Sequence, residues 1–206
     1  MIRVIIRRMG RHLIAYPGPW LTCFIGLLVL PLFTGHIPFV RFTAEEIIVV
    51  VHPRSIAVHA VYHFRNPFPF PVDQGYILPF PEDEDHAPPN RIELLQCLPE
   101  EKPVFVNHFL GKYRFSVYFP AQSNVIIRLF YEQATPRGKG TYILTTTKPW
   151  GRPLEKAAYR LLPEGVRITG SNYILTPDPY GAYRWTREQF MPLADWRFTW
   201  KEEKTQ

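Results

Sequence analysis

The sequence predicts an all-β protein: a mainly antiparallel two-layer β-sandwich preceded by one apolar N-terminal helix. Three observations carry that prediction. Beyond residue 40, apolar residues recur at every second position in short runs. Those runs are bounded by Pro, Gly, Asn and Asp at intervals of about ten residues, the spacing of a sandwich or barrel. The chain also carries 22 prolines in 206 residues, a density at odds with a helical bundle. A composition that is 46% hydrophobic and 15% aromatic belongs to a folded chain, and the length suits one domain of ordinary size. The expected division is a basic N-terminus with an apolar segment over residues 1–40, a β-domain over 41–200 and a polar tail over 201–206.

The first element is the apolar run. Arg3, Arg7, Arg8 and Arg11 precede it, and the first carboxylate of the chain is Glu45. From Pro19 to Ile37 there is no Asp, Glu, Lys or Arg, and 19 helical residues extend about 28 Å, close to the thickness of a bilayer core. Pro19 suits a first helical turn and Trp20 an interface. The arginines hold that end in the cytoplasm, so the rest of the chain lies outside. The residues expected to meet lipid are Trp20, Phe24, Leu27, Leu28, Leu30 and Phe33. A cleaved signal peptide with its apolar core at Trp20 to Phe33 shares every upstream feature. The exit favours an uncleaved anchor: cleavage after Gly35 or Thr34 would put Phe33 or Leu32 where a peptidase requires a small residue.

The strands follow. Ser55 to Arg65 sets Ile56, Val58, Ala60, Tyr62 and Phe64 against Ala57, His59, Val61, His63 and Arg65, the pattern of a half-buried strand. Tyr113 to Phe119 repeats it, and Val125 to Tyr131 does so opposite Asn124, Arg128 and Glu132. Shorter runs predict strands at Ile47 to Val51, Gly75 to Leu78, Arg91 to Gln96, Val104 to Phe109, Thr141 to Thr146, Val166 to Thr169, Ala182 to Thr186 and Trp196 to Lys201. Pro153 to Leu162 fits a helical stripe through Leu154, Ala158, Leu161 and Leu162, and equally an alternation through Ala157, Tyr159 and Leu161. Between Tyr62 and Asp85 lie five prolines. They cannot donate to a sheet ladder, so this stretch must follow an edge or cross between layers, with its phenylalanines capping the core.

The segments FTAEEIIVVVHPRSIAVHAVYHFRN, YILPFP, YILTTTKPW and AAYRLLPEG resemble a family of bacterial exported proteins known only as a domain of unknown function. In that family an acidic residue precedes the first strand, the second strand ends in aromatic-x-Asn, and a Phe-Pro segment follows. Through Tyr62-x-Phe64-x-Asn66 and Phe80-Pro81 the chain is also similar to the VIT domain, the β-rich module that precedes von Willebrand type A domains. The resemblance spans residues 42 to 165. It implies a secreted or surface-exposed β-sandwich and transfers no catalytic residue. No Asp-x-Ser-x-Ser metal motif occurs, so metal-dependent adhesion by that route is unsupported.

The remaining residues restrict the chemistry. Setting the four leading arginines aside leaves 20 basic against 18 acidic residues, too balanced for the basic face that nucleic acid requires. Cys23 falls inside the apolar run and Cys97 far beyond it, so a disulfide between them is not expected, and Cys97 reads as a lone thiol. His59 and His63 on a strand stand about 13 Å apart, too far to share one zinc ion. Glu82, Asp83, Glu84 and Asp85 lack the turn glycine of a calcium loop and read as a solvated loop. Pro136 to Thr141 lacks the earlier glycine and the Ser/Thr of a phosphate loop and reads as a hairpin turn. No cofactor is implied.

Aromatic residues gather in the last third, and a ligand or partner surface is expected first among Trp150, Tyr173, Tyr180, Trp185, Trp196 and Trp200, although core packing is the simpler role for such rings. The function predicted is that of a membrane-anchored or exported binding and assembly module whose partner is another envelope protein or polymer. The alternative is a small envelope hydrolase acting on a polysaccharide or peptide, with carboxylates from residues 82–85 and rings from 173–200. A third reading is an accessory subunit whose anchor packs against other membrane helices.

Overall fold

A computed structural model of the chain describes residues 40–203. The apolar segment with Trp20, Phe24, Leu27, Leu28, Leu30 and Phe33, together with Cys23 and residues 204–206, lies outside the described residues.

Fourteen strands follow in chain order. They are β1 (Arg41–Val51), β2 (Ser55–Arg65), β3 (Val72–Leu78), β4 (Pro89–Leu98), β5 (Lys102–Pro103), β6 (Asn107–Phe109) and β7 (Lys112–Phe119). Then come β8 (Asn124–Ala134), β9 (Lys139–Tyr142), β10 (Leu154–Pro163), β11 (Val166–Ser171), β12 (Thr176–Pro177), β13 (Tyr183–Phe190) and β14 (Trp196–Glu202). One 3-10 helix, Thr145–Trp150, lies between β9 and β10. Eight strands form one sheet in the order β12-β13-β10-β1-β2-β8-β4-β5. Two three-stranded sheets, β3-β7-β6 and β11-β14-β9, pack against its inner face. Among the described residues only β1 and β10 pair in parallel.

The period of two explains the core. Ile47, Val49 and Val51 of β1, Ile56, Val58 and Ala60 of β2, and Val125, Ile127 and Leu129 of β8 are all buried on one face. Phe64 meets Phe119 of the first small sheet at 5.9 Å between ring centroids, and Tyr159 meets Trp196 of the second at 5.8 Å. Each large side chain buried this way stabilises the fold by about 1.5–3 kcal/mol.

The proline-rich stretch is a crossing between layers. β2 ends in the large sheet and β3 begins in a small one. Asn66, fully buried, fixes the crossing: its Nδ2 donates to the carbonyls of Phe70 (2.9 Å) and Pro120 (2.8 Å), and its Oδ1 accepts from the Phe68 amide at 3.0 Å. Phe64 is buried, Phe80 packs on Tyr131, and Phe70 stays 47% exposed.

Five expectations need correction or resolution. Pro136 to Thr141 is not a hairpin turn, because β8 belongs to the large sheet whereas β9 pairs with β14, so this turn also changes layers. Gly138 there has φ +66°, and a Cβ would stand 2.8 Å from the Trp200 carbonyl oxygen. Pro153 to Leu162 resolves as a strand, since Ala157, Tyr159 and Leu161 are buried between β1 and β13 and tertiary pairing overrides the helical stripe. The run Val104 to Phe109 is strand only at β6. The run Thr141 to Thr146 stops at Tyr142, because Asp195 Oδ1 accepts from the amides of Leu144 (3.0 Å) and Thr145 (2.9 Å) and turns the chain into the 3-10 helix. At the other end, β14 continues into the polar tail as far as Glu202.

Both outermost strands of the large sheet, β12 and β5, are two residues long and contain a proline, Pro177 and Pro103. Proline removes the amide that a further strand would need, so both edges are blunted.

Candidate binding groove

Residues outside the core phase on β2, β8 and β4 form two rows. His59, Phe130 and Glu93 stand side by side across the sheet, and so do Val61, Arg128 and Leu95. The segment Pro103–Val106 leaves β5 and walls one side, held by the Val104 amide donating to the Leu94 carbonyl at 2.9 Å. Val104 and Val106 pack on the core while Phe105, between them, is 86% exposed. The resulting groove has a volume of about 650 Å³, within the range of ligand sites. A second depression of about 550 Å³ lies on the other side of Phe105, over Gly75, Ile77, Arg114 and Ser116.

The charges of the groove are unequally engaged. Glu93 accepts from Arg91 Nε at 2.8 Å, and the Arg91 guanidinium also lies 4.9 Å from the centroid of the Phe130 ring. His59 packs its ring against Phe130 at 4.8 Å. Arg128 has no carboxylate within ion-pairing distance among the described residues. An apolar floor carrying one unpaired cation suits an anionic group attached to an apolar chain. No nucleophile is paired with a base here, so the arrangement suits binding.

A second polar centre is enclosed in the core. Glu45 falls in phase with Ile47 and Val49 on the inner face of β1 and is 4% exposed. Burial pushes its carboxyl up to about 7, against the opposing effect of the hydrogen bond that the Tyr159 hydroxyl donates to its Oε1. Tyr62 and Tyr142 join their hydroxyls at 2.8 Å nearby, and burial raises both phenols.

The aromatic residues singled out in the sequence separate. Trp185 is sandwiched between Tyr159 at 3.8 Å and Tyr173 at 4.4 Å, and Trp196 and Trp200 are buried with it or beside it, so these three indoles fill the core rather than line a surface. Tyr173 donates to the Ala194 carbonyl at 2.8 Å. Trp150 belongs to another cluster, against Phe42 and Phe64. Tyr180, 92% exposed, stands alone on a turn. His59 and His63 face outward, and His63 Nε2 lies 4.0 Å from Glu46.

The acidic loop and the basic turn, read separately in the sequence, meet. Arg137 bonds Glu84 at 2.7 Å, Lys139 bonds Asp85 at 3.0 Å, and His86, buried, bonds Asp83 at 2.7 Å. The His86 ring holds the Asp83 carboxyl below its ordinary range. The 82–85 carboxylates are thus largely occupied in pinning a loop. Among the described residues no group of three or more His, Cys, Asp or Glu could hold a metal.

No family model matches the chain, and no curated protein matches it. Among solved structures, a Legionella pneumophila protein provisionally described as nutrient-binding superposes with a TM-score of 0.63 at 15% identity, over 80% of this chain and 67% of that one. An M1 zinc metallopeptidase from Deinococcus radiodurans gives a TM-score of 0.41 at 9% identity, over 78% of this chain. The chain spans only 42% of that peptidase, too remote a likeness to bear on chemistry. The Legionella likeness establishes a shared fold.

Proposed function

We propose that this protein is a membrane-tethered binding module whose β-domain lies outside the cytoplasm and takes, in the groove over β2, β8 and β4, an extended apolar segment bearing an acidic group. The observation that carries the reading is Arg128, a cation with no carboxylate partner among the described residues, in a mainly apolar groove beside the exposed Phe105, where the acid Glu93 is engaged by Arg91. The arginine cluster, the uncharged run from Pro19 to Ile37 and the resemblance to exported β-sandwich proteins support the location. The partner is an envelope protein or polymer carrying such a segment. The nutrient-binding description of the Legionella protein agrees with binding, but the argument here is the groove's own. A hydrolase would need free carboxylates in a pocket; Asp83, Glu84 and Asp85 lie in ion pairs, and none of the 82–85 carboxylates lines the groove.

Two probes separate the chemistry. A fluorescent sixteen-carbon carboxylate should bind the purified protein, the matching alcohol should bind more weakly, and Arg128→Gln should weaken the carboxylate about tenfold, or ~1.4 kcal/mol, while leaving the alcohol unchanged. A short peptide ending in apolar residues and a free carboxylate, against its amide, tests the protein-segment source in the same way. Equal affinity of wild type and Arg128→Gln for both carboxylates refutes the reading.

A further inference from the structure

Glycine inside a regular strand calls for a reason, and Gly75, the middle residue of β3, finds none within the described residues. β3 pairs with β7 in unbroken register from Val72 to Leu78, so no bulge requires it. Its φ lies outside the left-handed region, and a Cβ would meet nothing closer than Ser116 Oγ at 3.9 Å, an ordinary contact. Every other described glycine either has φ of +66° or more or has a neighbour within 3.0 Å of the Cβ position. Glycine weakens a strand interior. Where neither a bulge nor packing accounts for it, it marks a close approach to the backbone from outside.

Gly75 floors the depression of about 550 Å³ on the outer face of the sheet β3-β7-β6, which shares only Phe105 with the groove over β2, β8 and β4. Strand registers gather its polar groups. Gly75 faces Ser116, and two residues along, Ile77, Arg114 and Asn107 stand side by side. Facing side chains have Cβ atoms about 5 Å apart and the two rows are about 7 Å apart, so Ser116, Arg114 and Asn107 address one space. None of these three side chains makes a hydrogen bond or ion pair among the described residues. Ile77 and Phe105, both exposed, stand as apolar lips. Arg114 is the one charge that lines the depression. Lys112 lies two residues beyond it, opposite Phe109, and Asp73 stands opposite Tyr118, about 13 Å along the sheet from the Arg114 row. His108 stacks on Tyr113 at 4.2 Å, in the opposite phase from Arg114.

These groups select a ligand. Arg114 offers a planar fork of donors that fits a carboxylate. The Asn107 amide and the Ser116 hydroxyl both donate and accept, so hydroxyls suit them as partners, whereas inorganic phosphate and sulfate mainly accept. A bare backbone floor between apolar lips receives a flat C–H face. One rigid ring with a carboxylate, neighbouring hydroxyls and such a face is a sugar acid. We infer that the depression over Gly75 is a subsite for a uronate residue of an acidic polysaccharide, with the ring on the Gly75 backbone between Ile77 and Phe105 and its carboxylate on Arg114. This site stands apart from the groove over β2, β8 and β4 and does not depend on how that groove is read.

Calorimetric titration of the purified full chain in detergent with trigalacturonate, its methyl ester and inorganic phosphate tests the site. Trigalacturonate should bind saturably, and the ester and phosphate about tenfold more weakly or less. Arg114→Gln should weaken trigalacturonate about tenfold and leave the ester unchanged. Gly75→Val should abolish binding of both sugars while the urea midpoint holds or rises, since valine is a strand former and a Cβ makes only an ordinary contact there. Arg128→Gln should leave trigalacturonate unchanged. Absence of saturable binding, equal affinity for the ester or for phosphate, or indifference to either Gly75→Val or Arg114→Gln overturns the inference. Binding lost with Arg128→Gln moves the sugar to the groove and overturns it too. A lowered urea midpoint in Gly75→Val would show that the glycine serves the fold, and the inference falls with that observation.

Discussion

Replacing Glu45 by glutamine removes the one carboxyl that the fold encloses in its core next to a tyrosine cluster, and the consequence is a change in how stability depends on pH. Burial raises Glu45 from 4.5 to about 7. The folded state therefore holds its proton over a range where the unfolded chain has released it. A raised folded value means that the contribution is fully present below pH 4.5 and is lost as pH rises through 7. Integrating between pH 5 and pH 8 gives a loss of about 2–3 kcal/mol from this group, most of its whole contribution. Glutamine keeps the shape and still accepts from the Tyr159 hydroxyl, but it does not titrate. Urea denaturation followed by tryptophan fluorescence, at half-unit steps across that window, should show wild type losing about 2–3 kcal/mol more than Glu45→Gln. Every other group is common to both proteins and cancels in the difference. Parallel pH profiles, within about 0.5 kcal/mol, would refute the argument, since Glu45 would then ionise in the core as readily as in water.

Three other substitutions probe the fold by the same denaturation measurement. Asn66→Ala strips the crossing between β2 and β3 of its side-chain hydrogen bonds and should cost about 2–4 kcal/mol, since buried carbonyls and an amide lose their partner. Gly138→Ala forces a Cβ to 2.8 Å from the Trp200 carbonyl in a left-handed backbone and should cost at least about 1–3 kcal/mol. The neighbours Leu129 and Phe130 should divide cleanly. Leu129→Ala, 3% exposed with its side chain in the core, should lose about 2–5 kcal/mol, whereas Phe130→Ala, whose ring faces the groove, should lose about 1 kcal/mol and weaken carboxylate binding.

Much of the sheet was legible because burying one face imposes a period of two. Ser55 to Arg65 reads correctly on both faces, and the outward placement of Arg128 follows from Val125, Ile127, Leu129 and Tyr131 pointing inward. What failed were places where distant segments decide. Pro136 to Thr141 has the composition of a hairpin turn, but its destination is set by β14, some sixty residues on. Thr145 and Thr146 have strand propensity, yet Asp195 captures the backbone there and bends it. Leu154 to Pro163 satisfies two periodicities, and only the presence of β1 and β13 on either side chooses between them. The groove was half visible. Its floor lies in the outward phase of predicted strands, while its wall, Pro103–Val106, docks by one backbone hydrogen bond that no local pattern encodes. Glu45 did leave a signal that went unused: a carboxylate in phase with Ile47, Val49 and Val51 must be buried if they are.

The outer face of the large sheet is more apolar than a simple solvated face requires. Ile48, Val50, Val61, Ile126, Phe130 and Leu162 all fall in the outward phase and are only half-buried. Such a face on a wide sheet invites both edge-to-edge pairing and face-to-face association. The first hazard is answered by Pro103 and Pro177 on its two outermost strands. The second is limited by the residues set among the apolar ones: Glu46, His59, Arg128 and Glu132, each bearing a charge or a titratable ring. Of these, Glu132 has Arg91 at 3.8 Å and Glu46 has the His63 ring at 4.0 Å. Arg128 is left over. It has no carboxylate within ion-pairing distance among the described residues and stays exposed, so hydration carries its charge, and its repulsion of a like face limits face-to-face association.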